Sequence, residues 1–292
     1  MITPAHLGFM PLDAATPPEQ QAAWEMALRG RRVGFRSLKT LEEFTLVERI
    51  EREALGFDDV DLLSASALLT VPETGGAVLA AFLDDGDGER MIAAGIGWGG
   101  FVDGRARLIS DFLGVDRTAR SLGIGAAMKR LQAATASIAG FEEIVWTVDP
   151  LRAANARLNF GKLRAFADHY ERNRYGETMG QSHYGGLPSD RLHVTWPLTS
   201  KRVIAALRQE PPRPRERGET RRVAIPDDID AIIAGSKAAA LAWRLRVREE
   251  LEPLLEDGWV ITDFAPAHHD EGASALLLER PERDGRGHPL LD

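Results

Sequence analysis

The stretch 108–132, LISDFLGVDRTARSLGIGAAMKRLQ, holds the residues of this chain best suited to ligand chemistry. Its pattern predicts a β-strand, a short glycine-bearing turn and the amino end of a helix. The first N–H groups of a helix lack partners within it, and the helix dipole is positive there. Gly123 and Gly125 let the backbone approach an anion closely, and Arg117 and Arg120 add positive charge. The stretch therefore predicts a pyrophosphate cradle.

Two common nucleotide-binding motifs do not fit this turn. The dinucleotide fingerprint G-x-G-x-x-G needs a third glycine where Met128 stands, and no strand ending in an acid follows at the usual distance. The phosphate-binding loop of NTPases needs G-x-x-x-x-G-K-[ST], which the stretch does not contain. A plain strand-to-helix turn that happens to use glycine is the remaining alternative.

The spacing Arg120-x-x-Gly123-x-Gly125 resembles the coenzyme A loop of the GNAT acyltransferase superfamily. In that family Gln or Arg-x-x-Gly-x-Gly or Ala follows an apolar residue five positions earlier, here Val115. The segments IVWTVDPLRAANARLNFGKLRA, YERNRYGE, LPSDRL and AWRLRVR look like a long-chain, largely uncharacterised GNAT subgroup, over about residues 40–280. That subgroup is thought to include succinyl-CoA-dependent N-acyltransferases of amino acids. The resemblance implies acetyl-CoA or succinyl-CoA as co-substrate and a small-molecule amine as acceptor.

The same resemblance implies which residues contact the cofactor-like substrate. The strand end, the turn and the helix start would supply Leu113, Val115, Arg117, Arg120, Ser121, Leu122, Gly123, Ile124, Gly125 and Ala126. Asn155 and Asn159 lie four apart on a later predicted helix, where one could hydrogen-bond the pantetheine, as helix asparagines often do in this family. The alternative for both is a polar face toward solvent.

Acyl transfer from a thioester to an amine requires a neutral amine, a stabilised oxyanion and a thiolate that can leave. Asp111 stands inside an otherwise apolar strand, four residues before Val115. A carboxylate there is costly without a task or a partner, so it is a candidate base or amine-orienting group. The alternative is a cap or salt bridge at the strand edge. The resemblance implies backbone N–H groups of residues 110–115 as oxyanion donors.

The general acid is harder to assign. The resemblance implies a motif Tyr-x-x-x-Gly-Phe, but Phe160 stands at the tyrosine position and Arg164-Ala165 replace Gly-Phe. The chain has three tyrosines, Tyr170, Tyr175 and Tyr184. Tyr175, which precedes Gly176, is the preferred acid. His169 and His183 are alternatives.

Three arginines could hold a carboxylate of the acceptor or of a succinyl group by bidentate contacts. They are Arg191, in the segment PSDRL, and Arg244 and Arg248, one turn apart on a predicted helix. The alternative for that helix is a charged face on which Arg248 faces Glu252 and Arg246 faces Glu250.

The predicted elements give an α/β (α+β) fold: a GNAT-type mixed, mostly antiparallel sheet with helices on both faces, and a small carboxy-terminal α/β module. The elements are a helix over 17–30, a strand at 33–38, helices at 41–50 and 59–68, strands at 77–83, 91–101 and 107–115, a helix to 140, a strand at 143–148, a helix at 153–163, and strands near 165–172 and 191–198. The predicted parts are an amino-terminal arm and helix (1–30), the acyltransferase domain (31–209), a Pro/Arg-rich linker (210–222) and a β-αα-ββ module (223–292).

Composition narrows the function classes. The formal net charge of −8 and the lack of a basic block argue against nucleic-acid binding. The chain has no cysteine, and its seven histidines show no ligand spacing, so we expect no metal site. No apolar run is long enough to span a membrane and the amino terminus lacks signal-peptide features, which predicts a cytoplasmic protein. Two other functions stay open, a non-catalytic acyl-CoA sensor and a protein or peptide acetyltransferase, as does the choice between monomer and homodimer.

Overall fold

A computed structural model describes residues 1–17, 19–56, 59, 61–86, 88–102, 104–176, 186–211, 218–267, 273–285 and 287–291. The chain forms two compact units, Met1–Ile144 and Val145–Asp292. The predicted bound at residue 209, where the acyltransferase domain would end, stays a prediction.

The first unit has six complete strands and three α-helices among its described residues. They are β1 (Met10–Pro11), β2 (Ala23–Leu28), β3 (Arg31–Ser37), α1 (Leu41–Leu55), α2 (Ala65–Leu68), β4 (Ala77–Asp84), β5 (Glu89–Val102), β6 (Arg105–Val115) and α3 (Ile124–Ile138). Short 3₁₀ turns cover Ala5–Leu7, Pro72–Thr74 and Arg117–Leu122. A further strand, β7 (Glu143–Val148), crosses the boundary between the units.

The sheet of the first unit is antiparallel and runs in the order β1-β2-β3-β4-β5-β6. Phe44, Val47 and Ile50 of α1 pack in one apolar cluster with sheet residues that include Ile96. The next residue on β5, Gly97, faces α3. Because successive strand residues point to opposite faces, α1 and α3 cover the two sides of the sheet. The predicted α/β fold with a mostly antiparallel sheet is confirmed.

The predicted helix over 17–30 is wrong, because residues 23–28 form β2. This strand pairs with β3 across a turn at Arg29 and Gly30, both of which have positive φ. Trp24 and Met26 are buried while their neighbours are more exposed, a period of two that suits a strand with one buried face. The apolar residues at 24, 26 and 28 are typical of such a strand, whereas the paired prolines before them favour a helix start.

The second unit contains the remaining elements. They are α4 (Ala153–Ala156), which continues into a π-helical turn at Arg157–Lys162, β8 (Phe166–Glu171), β9 (Arg191–Pro197), α5 (Lys201–Leu207), β10 (Thr220–Ile225), α6 (Ile229–Gly235), α7 (Lys237–Glu256), β11 (Val260–Ala265) and β12 (Ser274–Glu279). Its antiparallel strands run in the order β9-β8-β11-β12-β10. The predicted β-αα-ββ order after residue 222 is confirmed.

The end of the predicted linker is wrong. Residues 220–222 pair with β12 as part of β10, with Thr220 opposite Glu279. The arginines at 221 and 222 made this segment look unstructured, but an edge strand tolerates exposed charged side chains. Residues 212–217 of the predicted linker lie outside the described residues.

Arg164, at a position where the resemblance implies a glycine, adopts a left-handed conformation, with φ of 59°. Its Nη1 lies 2.8 Å from Oδ1 of Asp263. A non-glycine residue in this conformation costs about 1 kcal/mol or more. We therefore expect Arg164→Gly to be more stable than Arg164→Ala by about 1 kcal/mol, since both lose the ion pair and only glycine relieves the strain. Urea unfolding of the two variants measures this difference, and equal stability would contradict it.

Candidate functional site

The predicted cradle is formed by the turn between β6 and α3. Gly123, the N-cap residue of α3, has a φ of 84°, which favours glycine. Gly123 has no side chain that could accept a hydrogen bond from the first backbone N–H groups of the helix, as an N-cap serine or aspartate would. At Gly125, in the first helical turn, a Cβ would lie 3.7 Å from Cγ2 of Val115, an ordinary contact. The turn thus presents backbone N–H groups at the positive end of the helix dipole, the geometry that binds an anion.

Asp116 holds the turn in this shape. Its Oδ1 accepts hydrogen bonds from the backbone N–H of Thr118 at 2.8 Å and from the Thr118 hydroxyl at 2.6 Å. Its Oδ2 accepts from Nη1 of Arg90 at 2.7 Å. Burial alone would raise the pKa of Asp116, but these hydrogen bonds and the Arg90 charge lower it. A firmly ionised Asp116 is therefore a structural part of the turn, which the sequence did not single out.

Arg120, predicted to face the pyrophosphate, instead contacts the backbone near the end of α1. Its Nη2 donates to the carbonyl oxygen of Ala54 at 2.9 Å, close to the end of α1. This contact ties the turn to α1 and satisfies a carbonyl at the negative end of that helix. The other predicted residues differ in exposure: Arg117, Ser121 and Gly123 are exposed, Leu113, Val115, Leu122, Gly125 and Ala126 are half-buried, and Ile124 is buried.

Asp111 is the extra residue of a β-bulge in β6. Ile96 and Gly97 are consecutive on β5. Their partners on β6 are Phe112 and Ser110, which leaves Asp111 unpaired in the ladder. A bulge interrupts the regular hydrogen bonding of a strand and redirects side chains, and bulges are common beside active sites. The bulge lies four residues before Val115, so it leads directly into the turn.

The carboxylate of Asp111 is exposed and contacts the neighbouring strand. Its Oδ2 accepts a hydrogen bond from the indole Nε1 of Trp98 at 3.3 Å. In the part of the chain that the structure describes, no Lys, Arg or His nitrogen lies within 4.0 Å of the Asp111 carboxylate, so the alternative of a salt bridge at the strand edge is not observed. Asp111 therefore keeps a solvent-accessible carboxylate beside an aromatic ring.

A buried lysine fixes the strand on the other side of the bulge. Nζ of Lys129, on α3, lies 2.8 Å from Oγ of Ser110 and 3.2 Å from Oε1 of Gln132. Burial lowers the pKa of Lys129 to about 7. The hydrogen bond to Ser110 links β6 to the helix whose amino end forms the cradle, so Lys129 positions the bulge relative to the turn.

Glu51 on α1 is a buried carboxylate that sequence reasoning missed. Its side chain is 1% exposed. The backbone N–H of Leu63 donates to one of its oxygens, and its Oε2 has no hydrogen-bond partner among the described residues. Burial raises the pKa of Glu51 to about 7, and the charges of Glu48 and Asp111 act in the same direction. The signal was its position four residues after Val47, on the apolar face of α1.

The two asparagines predicted to contact pantetheine have different environments in the second unit. Asn155 is exposed on α4, whereas Asn159 is buried at 4% exposure. The helix changes to π geometry after Ala156, which alters the faces on which later residues lie. Phe160 is fully buried in this π-helical turn, so no hydroxyl is available at the position of the family tyrosine.

The tyrosines differ in what their hydroxyl groups can do. Tyr170 donates to Oδ2 of Asp190 at 2.6 Å, and burial together with this carboxylate raises the Tyr170 pKa far above its usual range. Its proton is thereby held in the protein interior. Tyr175 is half-buried in a turn, with its backbone N–H donating to Oγ of Ser189 at 2.9 Å. Tyr184 and His183 lie outside the described residues.

Arg244 and Arg248 are paired with carboxylates of the protein itself. Arg244 is 0% exposed, and its Nη2 lies 2.8 Å from Oδ2 of Asp149. Arg248 donates from Nε and Nη2 to the two oxygens of Asp190, both at 2.8 Å. Burial would raise the pKa values of Asp149 and Asp190, but these arginines lower them. The carboxylates of Asp149 and Asp190 therefore offset the repulsion between these two neighbouring arginines.

The remaining arginine predictions have mixed outcomes. Arg248 does not face Glu252, because Glu252 pairs with Arg172. The predicted pair Arg246–Glu250 is confirmed, with Nε and Oε1 2.8 Å apart. Arg191, buried at 4% exposure, donates from Nη1 to the backbone carbonyl of Asp190 and lies over the ring of Tyr175 at 4.9 Å. Whether any of the three arginines binds a substrate carboxylate stays a prediction.

A cavity of about 390 Å³ lies elsewhere in the first unit and includes none of the predicted residues. Trp24, Ser37, Gln132 and Thr135 contribute to its lining. Among the described residues, no group of three or more His, Asp or Glu side chains is placed to hold a metal ion. Over the same residues, no helix combines the length and apolarity needed to cross a bilayer.

No family model and no curated protein matches this chain. Among solved structures, it is similar to the NatC complex bound to Gag peptide and CoA, at 17% identity over 57% of this chain and 99% of that chain, with a TM-score of 0.46. It is also similar to the ribosomal-protein-S18-alanine N-acetyltransferase from Escherichia coli, at 20% identity over 57% and 95% of the chains, with a TM-score of 0.44. A GNAT-family acetyltransferase from Streptococcus pneumoniae gives 16% identity over 56% and 97%, with a TM-score of 0.43. These sequence identities and TM-scores are low, so the chemistry of the site is argued from the residues of this chain.

Proposed function

We propose that this chain is a GNAT-type N-acyltransferase that moves an acetyl or succinyl group from CoA to the amine of a small molecule, with amino acids among the acceptors. One observation carries the proposal. The bulged strand β6, with an exposed carboxylate at Asp111, leads directly into a glycine turn and the uncapped amino end of α3. A single short segment thus combines a polar group suited to an amine with an anion cradle suited to a pyrophosphate.

The roles follow from the chemistry of each group. The amides at the start of α3 would bind the pyrophosphate, and Asp111 would orient or deprotonate the attacking amine. Backbone N–H groups near the bulge would stabilise the oxyanion of the tetrahedral intermediate. Tyr175 would protonate the leaving thiolate, because Phe160 has no hydroxyl and the Tyr170 proton is held by Asp190.

A screen of CoA release tests the proposed function. Acetyl-, succinyl- and longer acyl-CoAs are each combined with amino acids and polyamines, and free thiol is measured with and without the amine. We expect amine-dependent CoA release, with the added acyl mass on the amine. A protein that binds CoA but releases no thiol above the uncatalysed rate with any amine would favour the acyl-CoA sensor, for which the buried Phe160 is the supporting observation.

The catalytic assignment predicts the effects of two substitutions. Asp111→Asn and Tyr175→Phe should each lower kcat, by about 10²-fold or more, because general acid–base groups contribute roughly 10²–10⁴-fold. The affinity for acyl-CoA should be unchanged, since neither group contacts the pyrophosphate. Steady-state kinetics and CoA titration measure the two quantities. Full activity in both variants would show that water and backbone groups perform the proton transfers.

A further inference from the structure

Glu51 is a buried carboxylate whose chemistry the roles above do not use. Its Oε2 is buried, has no hydrogen-bond partner among the described residues and belongs to a side chain that is 1% exposed. Leaving a buried carboxylate oxygen without a donor is costly, so such an oxygen in a fold points to a ligand that supplies the missing donor.

The helix that carries this carboxylate packs on the strand that carries the bulge, and Phe112 of the bulge lies in one apolar cluster with Val47 and Ile50 of α1. At Gly114 a Cβ would lie 3.0 Å from Cβ of Ala54 and 3.1 Å from Cγ2 of Ile50, so α1 packs directly on β6. Glu51 follows Ile50, and the charge of Asp111 contributes to its raised pKa. Glu51 and the bulge therefore lie on the same face of the sheet.

The charged groups around Glu51 are mostly acidic. Glu48, one turn earlier on α1, and Asp111 both raise its pKa by their charges, and the charge of Arg52 lowers it. The positive charge of Arg52 is shared between Glu51 and Asp59, because its Nη2 lies 3.0 Å from Oδ1 of Asp59. The loop before α2 contributes the Leu63 N–H, and β5 contributes the Trp98 ring beside Asp111. A cation with several N–H donors matches this environment, and the face of an aromatic ring also attracts cations.

We propose that Glu51 and Asp111 form the acceptor subsite and bind the amine as an alkyl ammonium, with Glu51 accepting its proton. This inference rests on the proposed function, which supplies the acyl-CoA. The acceptor arrives as R–NH₃⁺ and donates one N–H to Oε2 of Glu51. Proton transfer gives neutral R–NH₂ and protonated Glu51. The nitrogen lone pair attacks the thioester carbon, the C–S bond breaks, the general acid protonates the thiolate, and the second nitrogen proton restores the general acid, so that amide and CoA thiol form. Glu51 then returns its proton to water.

The same charges select among amines. Glu48, Glu51 and Asp111 repel a carboxylate that lies close to the reacting nitrogen. The subsite therefore favours an amine at the end of an alkyl chain, such as the side-chain amine of a diamino acid or a polyamine, over the α-amine of an amino acid. With lysine as acceptor, the acyl group is expected on Nε rather than on Nα.

The test uses the full chain with ¹³C-labelled glutamate carboxyl carbons and n-butylammonium as the probe. The Glu51 resonance is assigned by its loss in Glu51→Gln, and we expect it to titrate near pH 7 because burial raises its pKa. We expect n-butylammonium to lower the apparent pKa of Glu51 by about one unit or more, because an opposite charge favours the carboxylate. Uncharged n-butanol and zwitterionic glycine should leave it unchanged. Affinity for the probe should fall about 10-fold or more in Glu51→Gln.

Glu53→Gln is the matched control, because Glu53 lies on the same helix with an exposed carboxylate paired to Arg49. It should bind the probe like the unmodified chain. A Glu51 titration that n-butylammonium does not move, or that glycine moves equally, overturns the inference. Titration of the same samples with CoA separates the two proposals: CoA binding without a probe effect removes only the amine subsite, whereas a probe effect without CoA binding removes only acyl transfer.

Discussion

Gly125→Glu should abolish CoA binding while the protein stays folded. A Cβ at residue 125 meets only Cγ2 of Val115, at 3.7 Å, so the backbone accepts a side chain. A glutamate in the first turn of a helix is favourable toward the helix dipole, which protects the fold. The same negative charge would occupy the place of the pyrophosphate and repel it. We expect CoA affinity to fall at least about 100-fold, measured by isothermal titration and accompanied by circular dichroism.

Gly125→Ala is the control for this substitution. It adds the same Cβ without the charge and raises helix propensity, so it should be slightly more stable and should retain most of the CoA affinity. Unchanged affinity in a folded Gly125→Glu would remove the cofactor assignment. Loss of affinity in Gly125→Ala as well would show that the shape of the turn, and not its charge, was disturbed.

Arg244→Met should lower the free energy of unfolding by about 3–5 kcal/mol, because it leaves the buried Asp149 without its partner. The two side chains are 1% and 7% exposed, so water cannot replace the lost contact. The Nε and Nη1 atoms of Arg244 are buried without hydrogen-bond partners among the described residues. The pair is therefore imperfectly satisfied, and removing both charges should cost much less than removing one.

A double-mutant cycle tests this account. Asp149→Asn keeps the acceptor for the Leu151 N–H, which the Asp149 Oδ1 atom binds at 2.9 Å. The double variant Asp149→Asn, Arg244→Met should be more stable than Arg244→Met alone. Arg246→Met, which breaks an exposed pair with Glu250 on the same helix, should cost about 1 kcal/mol or less. An Arg244→Met variant as stable as Arg246→Met would contradict the buried-pair account and would leave Arg244 available for a substrate carboxylate.

Much of the fold was predictable because local signals agree with tertiary packing. Apolar residues at helical spacing located α1 and α3, and the glycines and Asp149-Pro150 marked the ends of elements. The turn at Gly123 was predictable because a positive φ at the N-cap of α3 favours glycine, which marks the start of the helix in the sequence. The sequence of residues 24–28 is compatible with either a helix or a strand, and pairing with β3 stabilises the strand.

The partners of charged residues were not predictable from spacing along one helix. Arg248 has Glu252 one turn away but binds Asp190, a residue 58 positions distant in sequence. Glu51 resembles any helix glutamate in the sequence, and only tertiary packing buries it. The bulge itself has no sequence signature beyond a carboxylate in an apolar strand, because it depends on the register between β5 and β6. Long-range pairing of this kind decides which groups are available for chemistry.

The central claim is that the turn between β6 and α3 binds CoA through its pyrophosphate. Isothermal titration of the unmodified chain with CoA and with pantetheine, which lacks the pyrophosphate and the 3′-phosphoadenosine, tests it, and the same titrations with Gly125→Glu separate the pyrophosphate from the nucleotide. We predict that CoA binds and that pantetheine binds at least about 100-fold more weakly, because each charge-assisted hydrogen bond contributes about 1.5–3 kcal/mol. No binding of CoA, or equal affinity for the two compounds, would contradict the account.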